Sequence, residues 1–180
     1  MIKIKGFKFS GISCGIKKSG EKDLGLILSE KRCLSHALFT KNKIIAAPLE
    51  IGKKIAKINK IHGIIVNSGN ANACTGTKGM IATNKILEEI AKKTNLNISN
   101  FFPSSTGIIG VQLDYKRINN KIDTLLNSLS ENSYKEFANA IRTTDRFIKF
   151  KHSEIKIGKT SGNMLGIAKG AGMIHPGMAT

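Results

Sequence analysis

The sequence predicts a single layered α/β domain spanning residues 1–180, because strand-like and helix-like patterns alternate along the whole chain. Period-two alternation and short apolar runs indicate strands, and apolar residues at helical spacing indicate the helices between them. The sequence shows no internal repeat and no linker long enough to divide it. Its 180 residues, 41% of them hydrophobic, are sufficient for one domain with a substantial core.

Two strands separated by a turn are predicted near the start of the sequence. Residues 7–12 alternate apolar and polar side chains, as in a half-buried strand, and residues 24–28 form a short apolar run bounded by charge. The glycines and lysines of 15–21 predict the turn. Residues 44–47 are predicted to be extended, because Pro48 disfavours a helical conformation in the residue before it.

The middle of the sequence predicts a strand, a helix and another strand. Residues 63–66 form a buried-strand run that leads into a polar loop at 67–76. Residues 98–102 predict a strand that is closed by Pro103 and followed by a loop at 104–110. The helix between these strands is predicted by apolar residues near helical spacing: Met80, Ile86, Leu87, Ile90 and Ala91.

Two helices and two strands are predicted after this. One helix is indicated by an apolar stripe formed by Ile118, Ile122, Leu125, Leu126 and Leu129. Ser133 and Glu136 form a capping-box pattern that opens the next helix. Alternation over 148–157 and the run 163–168 predict the last two strands.

The formal net charge of +17 would by itself favour nucleic-acid binding. Nearly all of this charge is lysine, however, and arginine, the better group for bidentate phosphate and base contacts, is scarce. Aromatic residues are 6% of the sequence and tryptophan is absent, which leaves little for base stacking. We therefore interpret the charge as a mostly solvated lysine surface and expect no nucleic-acid partner; a basic nucleic-acid-binding module is the distant alternative.

No apolar stretch approaches the roughly 20 residues needed to span a bilayer, and residues 1–6 alternate lysine with isoleucine instead of forming a signal peptide. The protein is therefore expected to be cytoplasmic, with no membrane partner. Cys14, Cys33 and Cys74 have a spacing that fits neither a zinc site nor a disulfide framework, so no metal is predicted. Cys74 is expected to be a buried, inert thiol rather than a nucleophile.

Residues 169–180 have the composition of a self-cleavage junction. A threonine hydroxyl is a poor nucleophile at neutral pH, but cleavage before Thr180 would give it a free α-amine with a reference pKa of about 7.7–8.0 as its own base. His175 is a second candidate base, ranked below that amine. A terminal threonine alone is ordinarily only a boundary, so the wider pattern must decide. Glycines that permit a strained scissile amide surround the junction: Gly170, Gly172 and Gly177.

Two polar motifs are candidates for holding the reacting group and the substrate. Thr106 and Gly107 could supply a hydroxyl and a backbone N–H to an oxyanion hole, or could form an ordinary turn. Thr143 and Thr144 could hold an amino-acid substrate. The alternative for this second motif is a helix terminus in which Asp145 pairs with a neighbouring arginine.

The remaining polar candidates are the asparagine-rich loop and Lys169. The amides of the loop either satisfy buried backbone groups and hold the loop in shape, which is the favoured interpretation, or bind polar groups of a substrate. The loop lacks the lysine and glycine spacing of a Walker phosphate-binding loop. Lys169 could hold an acidic substrate group as a compact cation, or could be only solvated.

Four segments together resemble the ornithine acetyltransferase family of arginine biosynthesis, also called the glutamate N-acetyltransferase family. The segments are NSGNANACTG at 67–76, STGIIG at 105–110, TTD at 143–145, and KGAGMI at 169–174 with the final Met-Ala-Thr. They occur in family order across essentially the whole sequence. The resemblance implies the layered sheet-and-helix fold of the self-processing ornithine acetyltransferase type.

The resemblance also implies a mechanism. In that family a precursor cuts itself between the alanine and threonine that match Ala179 and Thr180, and the sequence therefore resembles the α chain plus the first residue of the β chain. Thr180 would take acetyl from N-acetylornithine and pass it to glutamate, with Thr106 and Gly107 as the oxyanion hole. The implied substrate-binding residues are Thr143, Thr144, Lys169 and Thr180.

The implied partner is the β chain of the same precursor, in an α2β2 heterotetramer, and a chain without it is expected to be inactive. No cofactor is implied; some members also use acetyl-CoA as a co-substrate to make N-acetylglutamate. Three residues depart from the family pattern. Arg146 stands where threonine is common, which bears on the substrate contacts, and His175 and Gly177 replace a small residue and an asparagine near the junction. A self-cleaving aminopeptidase of related architecture is the neighbouring alternative.

Overall fold

The structure, a computed structural model, describes residues 3–170. Ile98–Asn100 form a 3-10 turn. Between residues 3 and 170, no helix is both long enough and apolar enough to cross a membrane. The elements follow in the order β1 (Phe7–Ile12), β2 (Leu24–Leu34), α1 (Ala47–Ala56), β3 (Lys60–Asn70), α2 (Gly76–Thr94), β4 (Phe101–Ile108), α3 (Tyr115–Asn119), α4 (Ile122–Asn127), α5 (Tyr134–Ala140), β5 (Lys149–Ile157) and β6 (Thr160–Ala168).

Strands β1 to β4 form one mixed sheet in the order β1-β2-β3-β4. Strands β1, β2 and β3 pair antiparallel, and β3 pairs parallel with β4. A parallel pair needs a crossover connection, which helix α2 provides. Strands β5 and β6 form a separate antiparallel hairpin.

Apolar side chains are buried on both faces of the sheet, which gives the layered arrangement. On one face, helices α1, α2, α3 and α4 cover a core that includes Leu24, Leu26 and Phe101, each 0% exposed. On the other face, α5 covers a smaller cluster that contains Phe9 and Phe137. Burial of large apolar side chains contributes about 1.5–3 kcal/mol each. The predicted α/β fold class is confirmed.

The prediction that residues 44–47 are extended is wrong at Ala47, which is helical. Helix α1 begins at Ala47, and Pro48 lies in its first turn. Proline is favoured there, because the first helical N–H groups have no intrahelical acceptor and its restricted φ suits a helix. Ala46, with φ −71° and ψ 151°, is the extended residue before the helix.

Strands β3 and β4 both run further than the sequence patterns predict. Strand β3 continues to Asn70, so the predicted loop at 67–76 begins as strand. Strand β4 runs through Pro103 to Ile108, and Ile98–Asn100 is a 3-10 turn instead of strand. Pro103 is tolerated because β4 is the outer strand of this sheet as described, where a missing N–H costs no ladder bond.

Two helix predictions need correction. The apolar stripe predicted as one helix is divided between α3 and α4, although Ile118, Ile122 and Leu125 still share the core. The predicted helix α5 is present, but the side chain of Ser133 makes no cap hydrogen bond. Glu136 instead forms an ion pair with Lys22.

Replacing Gly11 with alanine is expected to lower the free energy of unfolding by about 1–3 kcal/mol. Helix α5 packs so closely on β1 that a Cβ on Gly11 would lie 2.0 Å from the carbonyl oxygen of Glu136. Gly162→Ala is the matched control, since its Cβ would meet only Ile155 at 3.7 Å, and it should change stability by less than about 0.5 kcal/mol. Urea unfolding of the full-length protein measures both; equal tolerance of the two changes would contradict the packing argument.

Candidate functional site

Thr106 and Gly107 lie near the carboxyl end of β4, beside the end of β3. In the register of the two strands, Ser68 pairs with Thr106 and Gly69 pairs with Gly107. Thr106 is partly buried and Gly107 is exposed, so the end of the strand can be reached from solvent. The motif is therefore strand, not the ordinary turn that was the alternative.

The asparagines of the segment after Val66 hold protein groups in place. Asn67, Asn70 and Asn72 are 4%, 6% and 0% exposed. The Asn67 amide accepts from the Ser105 hydroxyl at 2.6 Å, and the Asn70 side-chain oxygen accepts from the Asn72 N–H at 2.7 Å. The Asn72 amide donates to the Thr83 hydroxyl at 2.9 Å. These contacts agree with the favoured interpretation that the amides shape the segment, and they hold the ends of β3 and β4 together.

Gly107 occupies a position that has no room for a side chain. Its φ is +138°, and a Cβ there would lie 2.3 Å from the carbonyl carbon of Gly69 and 2.5 Å from the N atom of Asn70. Only glycine allows the backbones to approach this closely. The sequence therefore places a bare peptide group directly after the Thr106 hydroxyl.

Lys169 joins the two threonine motifs. It follows β6, and its Nζ donates to the Thr106 Oγ1 at 2.8 Å and to the Thr143 Oγ1 at 2.8 Å. Because Thr106 accepts from the ammonium, its own hydroxyl proton is available to another acceptor. A hydroxyl polarised in this way, next to an exposed peptide group, can stabilise an oxygen anion. We call Thr106, Gly107, Thr143 and Lys169 the hydroxyl–lysine cluster.

Partial burial lowers the pKa of Lys169 below its ordinary value. The negative charge of Asp145 opposes this shift, and the positive charge of Lys149 adds to it. Asp145 pairs with Lys149, so the alternative in which it pairs with a neighbouring arginine is wrong. The two residues are four positions apart, with Lys149 at the first position of β5.

Sequence reasoning did not single out Lys17 as part of this region, and it considered Arg142 only as a neighbouring arginine of Asp145. Burial lowers the pKa of Lys17. The nearby carboxylates of Glu21 and Asp23 oppose that shift, whereas the positive charges of Arg142 and Lys169 add to it. Three lysine and arginine side chains outside the cluster therefore lie near it: Lys17, Arg142 and Lys149. The signals for Lys17 were its place in the predicted turn at 15–21 and a weak family match at residues 15–17.

The turn that carries Lys17 is held by a buried carboxylate. Asp23, 0% exposed, accepts from the N–H groups of Cys14 at 2.6 Å, Ile16 at 2.6 Å and Lys17 at 2.9 Å. A Cβ on Gly69 would lie 3.0 Å from Lys17 Cγ, so the lysine stem passes directly over the end of β3. Asp23 thus fixes a cation beside the strand ends.

Other predicted site residues are placed as follows. Thr144 and Arg146 are both exposed, on either side of buried Asp145. The predicted nucleophile Thr180 and cleavage residue Ala179 lie outside the described residues, as do His175 and Gly177. The relation of the hydroxyl–lysine cluster to the junction therefore remains a prediction.

The thiols differ from expectation. Cys74 is exposed, so its predicted burial is wrong, and Cys14 is the buried thiol. Burial, with the nearby charge of Asp23, raises the pKa of Cys14 far above the thiol range, which makes it a poor nucleophile. Cys74 follows β3 with a φ of +56°, at the turn that leads into α2.

An apolar cavity of ≈ 330 Å³ lies away from the hydroxyl–lysine cluster. Its lining includes Phe7, Ile27, His62 and Phe102, and contains no member of the cluster. A cavity of this kind offers apolar contact but no cluster of hydroxyl donors. Its lining therefore does not supply the chemistry expected for acyl transfer.

Comparison with known proteins identifies relatives of the chain. The ArgJ family model matches residues 8–180. The arginine biosynthesis bifunctional protein ArgJ 2 of Clostridium acetobutylicum is 46% identical over 176 residues, which cover 98% of this chain and 44% of that protein. The ArgJ protein of Thermotoga neapolitana is 43% identical over 178 residues, with 98% and 44% covered. The chain thus spans less than half the length of these relatives.

Solved structures agree with the sequence relatives. The crystal structure of the arginine biosynthesis bifunctional protein ArgJ from Bacillus halodurans superimposes with a TM-score of 0.90 at 35% identity, covering 96% of this chain and 91% of that one. The ornithine acetyltransferase of Mycobacterium tuberculosis, solved in complex with ornithine, gives a TM-score of 0.88 at 30% identity, with 96% and 92% covered. The chain belongs to the ArgJ family.

Proposed function

We propose that the full-length protein moves an acetyl group from N-acetylornithine to glutamate in arginine biosynthesis, through an acetyl ester on Thr180. Family membership supports the reaction, and the relatives are named for arginine biosynthesis. The observation that carries the proposal is the Lys169 ammonium, which donates to the hydroxyls of both Thr106 and Thr143. That contact gathers three predicted site residues from distant parts of the sequence.

The proposed sequence begins with self-cleavage. The Thr180 hydroxyl attacks the Ala179 carbonyl, the peptide C–N bond breaks, and the acyl group moves from nitrogen to oxygen. Water then hydrolyses the ester, which leaves a carboxylate on Ala179 and a free α-amine on Thr180. This amine has a reference pKa of about 7.7–8.0 and can accept the proton of the neighbouring hydroxyl at neutral pH.

Acetyl transfer then uses the same hydroxyl. Thr180 Oγ attacks the acetyl carbonyl of N-acetylornithine while its proton passes to the α-amine, and ornithine leaves after taking that proton. The neutral amine of glutamate attacks the resulting ester, the bond between the acetyl carbon and Thr180 Oγ breaks, and the proton that the amine loses returns through the α-amine to Thr180 Oγ as N-acetylglutamate leaves. Each tetrahedral intermediate carries an oxyanion, which the Thr106 hydroxyl and the Gly107 N–H would stabilise by about 3–4 kcal/mol per donor.

The substrate-binding and partner proposals follow from the same site. Thr143 and Lys169, with Thr144 and Thr180, would contact the substrate, and the remaining contacts would come from the β chain of the precursor in an α2β2 heterotetramer. The protein would act in the cytoplasm without a metal or other cofactor, with acetyl-CoA as an alternative acetyl donor. The structure of the ornithine acetyltransferase relative with bound ornithine supports an amino-acid substrate.

The proposal is tested with the full-length protein and N-acetylornithine that carries a labelled acetyl group. We expect labelled N-acetylglutamate, ping-pong kinetics, and one acetyl group on the fragment that begins with Thr180 when glutamate is omitted. Release of amino acids from short peptides without acetyl exchange would replace the proposal with an aminopeptidase. Binding to duplex or single strands at physiological salt, with no acetyl transfer, would replace it with the nucleic-acid-binding alternative.

A further inference from the structure

Asp145 is a buried carboxylate directly behind the hydroxyl–lysine cluster. Its side chain is 1% exposed. Its Oδ1 accepts from the Lys149 Nζ at 2.5 Å and from the Gly170 N–H at 2.6 Å, and its Oδ2 accepts from the Thr143 N–H at 3.4 Å. A buried carboxylate with these donors is ionised, because the hydrogen bonds outweigh the cost of its burial.

The donors to Asp145 come from the segments that carry the cluster. Thr143 follows helix α5, and its hydroxyl accepts from Lys169. Gly170 follows Lys169, and its φ of +138° is one that glycine adopts readily. Asp145 therefore accepts from two backbone N–H groups of the cluster region. One belongs to Gly170, the residue after Lys169, and the other belongs to Thr143, whose hydroxyl contacts Lys169. Loss of this carboxylate would release both at once.

Asp145 also determines the electrostatic surroundings of Lys169. Burial lowers the pKa of Lys169, Asp145 raises it, and Lys149 lowers it. Lys17, in the turn before β2, is also coupled to this ammonium, and the charges that act on Lys17 include Arg142 and the carboxylates of Glu21 and Asp23. Among the charges that act on Lys169 in the described residues, Asp145 is the negative one. Without it, no negative charge would offset the burial of this ammonium and the positive charge of Lys149.

We infer that Asp145 is a positioning residue that holds Lys169 protonated and in contact with Thr106 and Thr143, with Lys149 as the counter-charge that limits this effect. The inference rests on the proposed function, in which Lys169 orients the hydroxyl of the oxyanion hole. The protonated lysine carries a full positive charge and has no lone pair, so it polarises both hydroxyls and takes neither hydroxyl proton, whereas the neutral amine is a weaker donor whose lone pair competes for those protons. Activity is therefore lost as the pH rises through the pKa of Lys169.

Two variants separate this role from a merely structural one. Asp145→Asn keeps an oxygen that can accept from the backbone but removes the charge, so the pKa of Lys169 falls and the alkaline limb of kcat/KM moves to lower pH. Lys149→Gln keeps a donor but removes a competing cation, so the pKa of Lys169 rises and the limb moves to higher pH. A variant that merely folds poorly would lose activity, but poor folding would not move the alkaline limbs of the two variants in opposite directions.

The experiment measures the alkaline limb of kcat/KM, together with the pKa of Lys169 by NMR titration, in the full-length protein and both variants. We expect the pKa of Lys169 to fall in Asp145→Asn and to rise in Lys149→Gln. In each variant the alkaline limb of kcat/KM should shift in the same direction as this pKa. An unchanged Lys169 pKa in Asp145→Asn, or shifts of the same sign in the two variants, would overturn the inference. Absence of acetyl transfer in the unsubstituted protein would overturn the proposed function instead, while the NMR titration still decides whether Asp145 controls Lys169.

Discussion

Replacing Thr180 with alanine is expected to abolish both self-cleavage and acetyl transfer. The substitution removes the hydroxyl that attacks the Ala179 carbonyl, so the precursor stays as one polypeptide and the α-amine is never released. Loss of a nucleophile of this kind lowers kcat by about 10⁴-fold or more. The intact mass of the purified full-length protein measures cleavage, and transfer of labelled acetyl to glutamate measures the second step.

Thr180→Ser is the matched control for this prediction. Serine keeps the hydroxyl and can gain the same α-amine, so the protein should still divide before position 180 and still form an acetyl ester. Division of the Thr180→Ala protein at the same bond, or transfer by it near the normal rate, would show that another group carries the chemistry. His175 would then be the first residue to substitute.

The parts of the fold that sequence patterns predicted are those with strong local periodicity. Strand β1 and helix α2 agree with the alternation at 7–12 and with the helical spacing of Ile86, Leu87 and Ile90. Helix α1 was missed because a proline such as Pro48 can either follow the end of an element or lie in the first turn of a helix. Only packing of the buried residues Ile51 and Ile55 on the sheet decides between them.

Strand ends were predicted less well because tertiary pairing extends them. Asn67 and Ser105 are polar and suggest loops, yet the parallel ladder between β3 and β4 continues through both. The Ser105 hydroxyl donates to the Asn67 amide across that ladder. The pairing satisfies polar groups that would otherwise need solvent, and no local pattern in either strand reveals its partner.

The sequence pointed to individual candidate site residues but not to their geometry. Resemblance to a family pointed to Thr106, Thr143 and Lys169, which are far apart in the sequence. Their meeting at 2.8 Å contacts depends on the turn after α5, the hairpin of β5 and β6, and the end of β4. The alternative considered for Asp145 was an arginine partner, because sequence spacing cannot show that the Lys149 ammonium reaches this buried carboxylate.

Replacing Thr106 with valine is expected to lower kcat for acetyl transfer by about 10²–10³-fold, with a much smaller effect on KM. Valine has nearly the shape of threonine but no hydroxyl, so the oxyanion loses one donor and Lys169 loses one of its two hydroxyl acceptors. The change acts on charge that develops only in the transition state, which is why kcat falls more than substrate binding.

Thr106→Ser separates the hydroxyl from the rest of the side chain. Serine restores the donor and the acceptor for Lys169, so most of the activity should return, whereas a site that needed only the volume of threonine would favour valine. Both rates are measured on protein whose cleavage before Thr180 has been verified by intact mass, because an uncut precursor would lack the nucleophile for a different reason. A valine variant that turns over at the normal rate would remove Thr106 from the oxyanion hole and leave the Gly107 N–H as the donor from this strand.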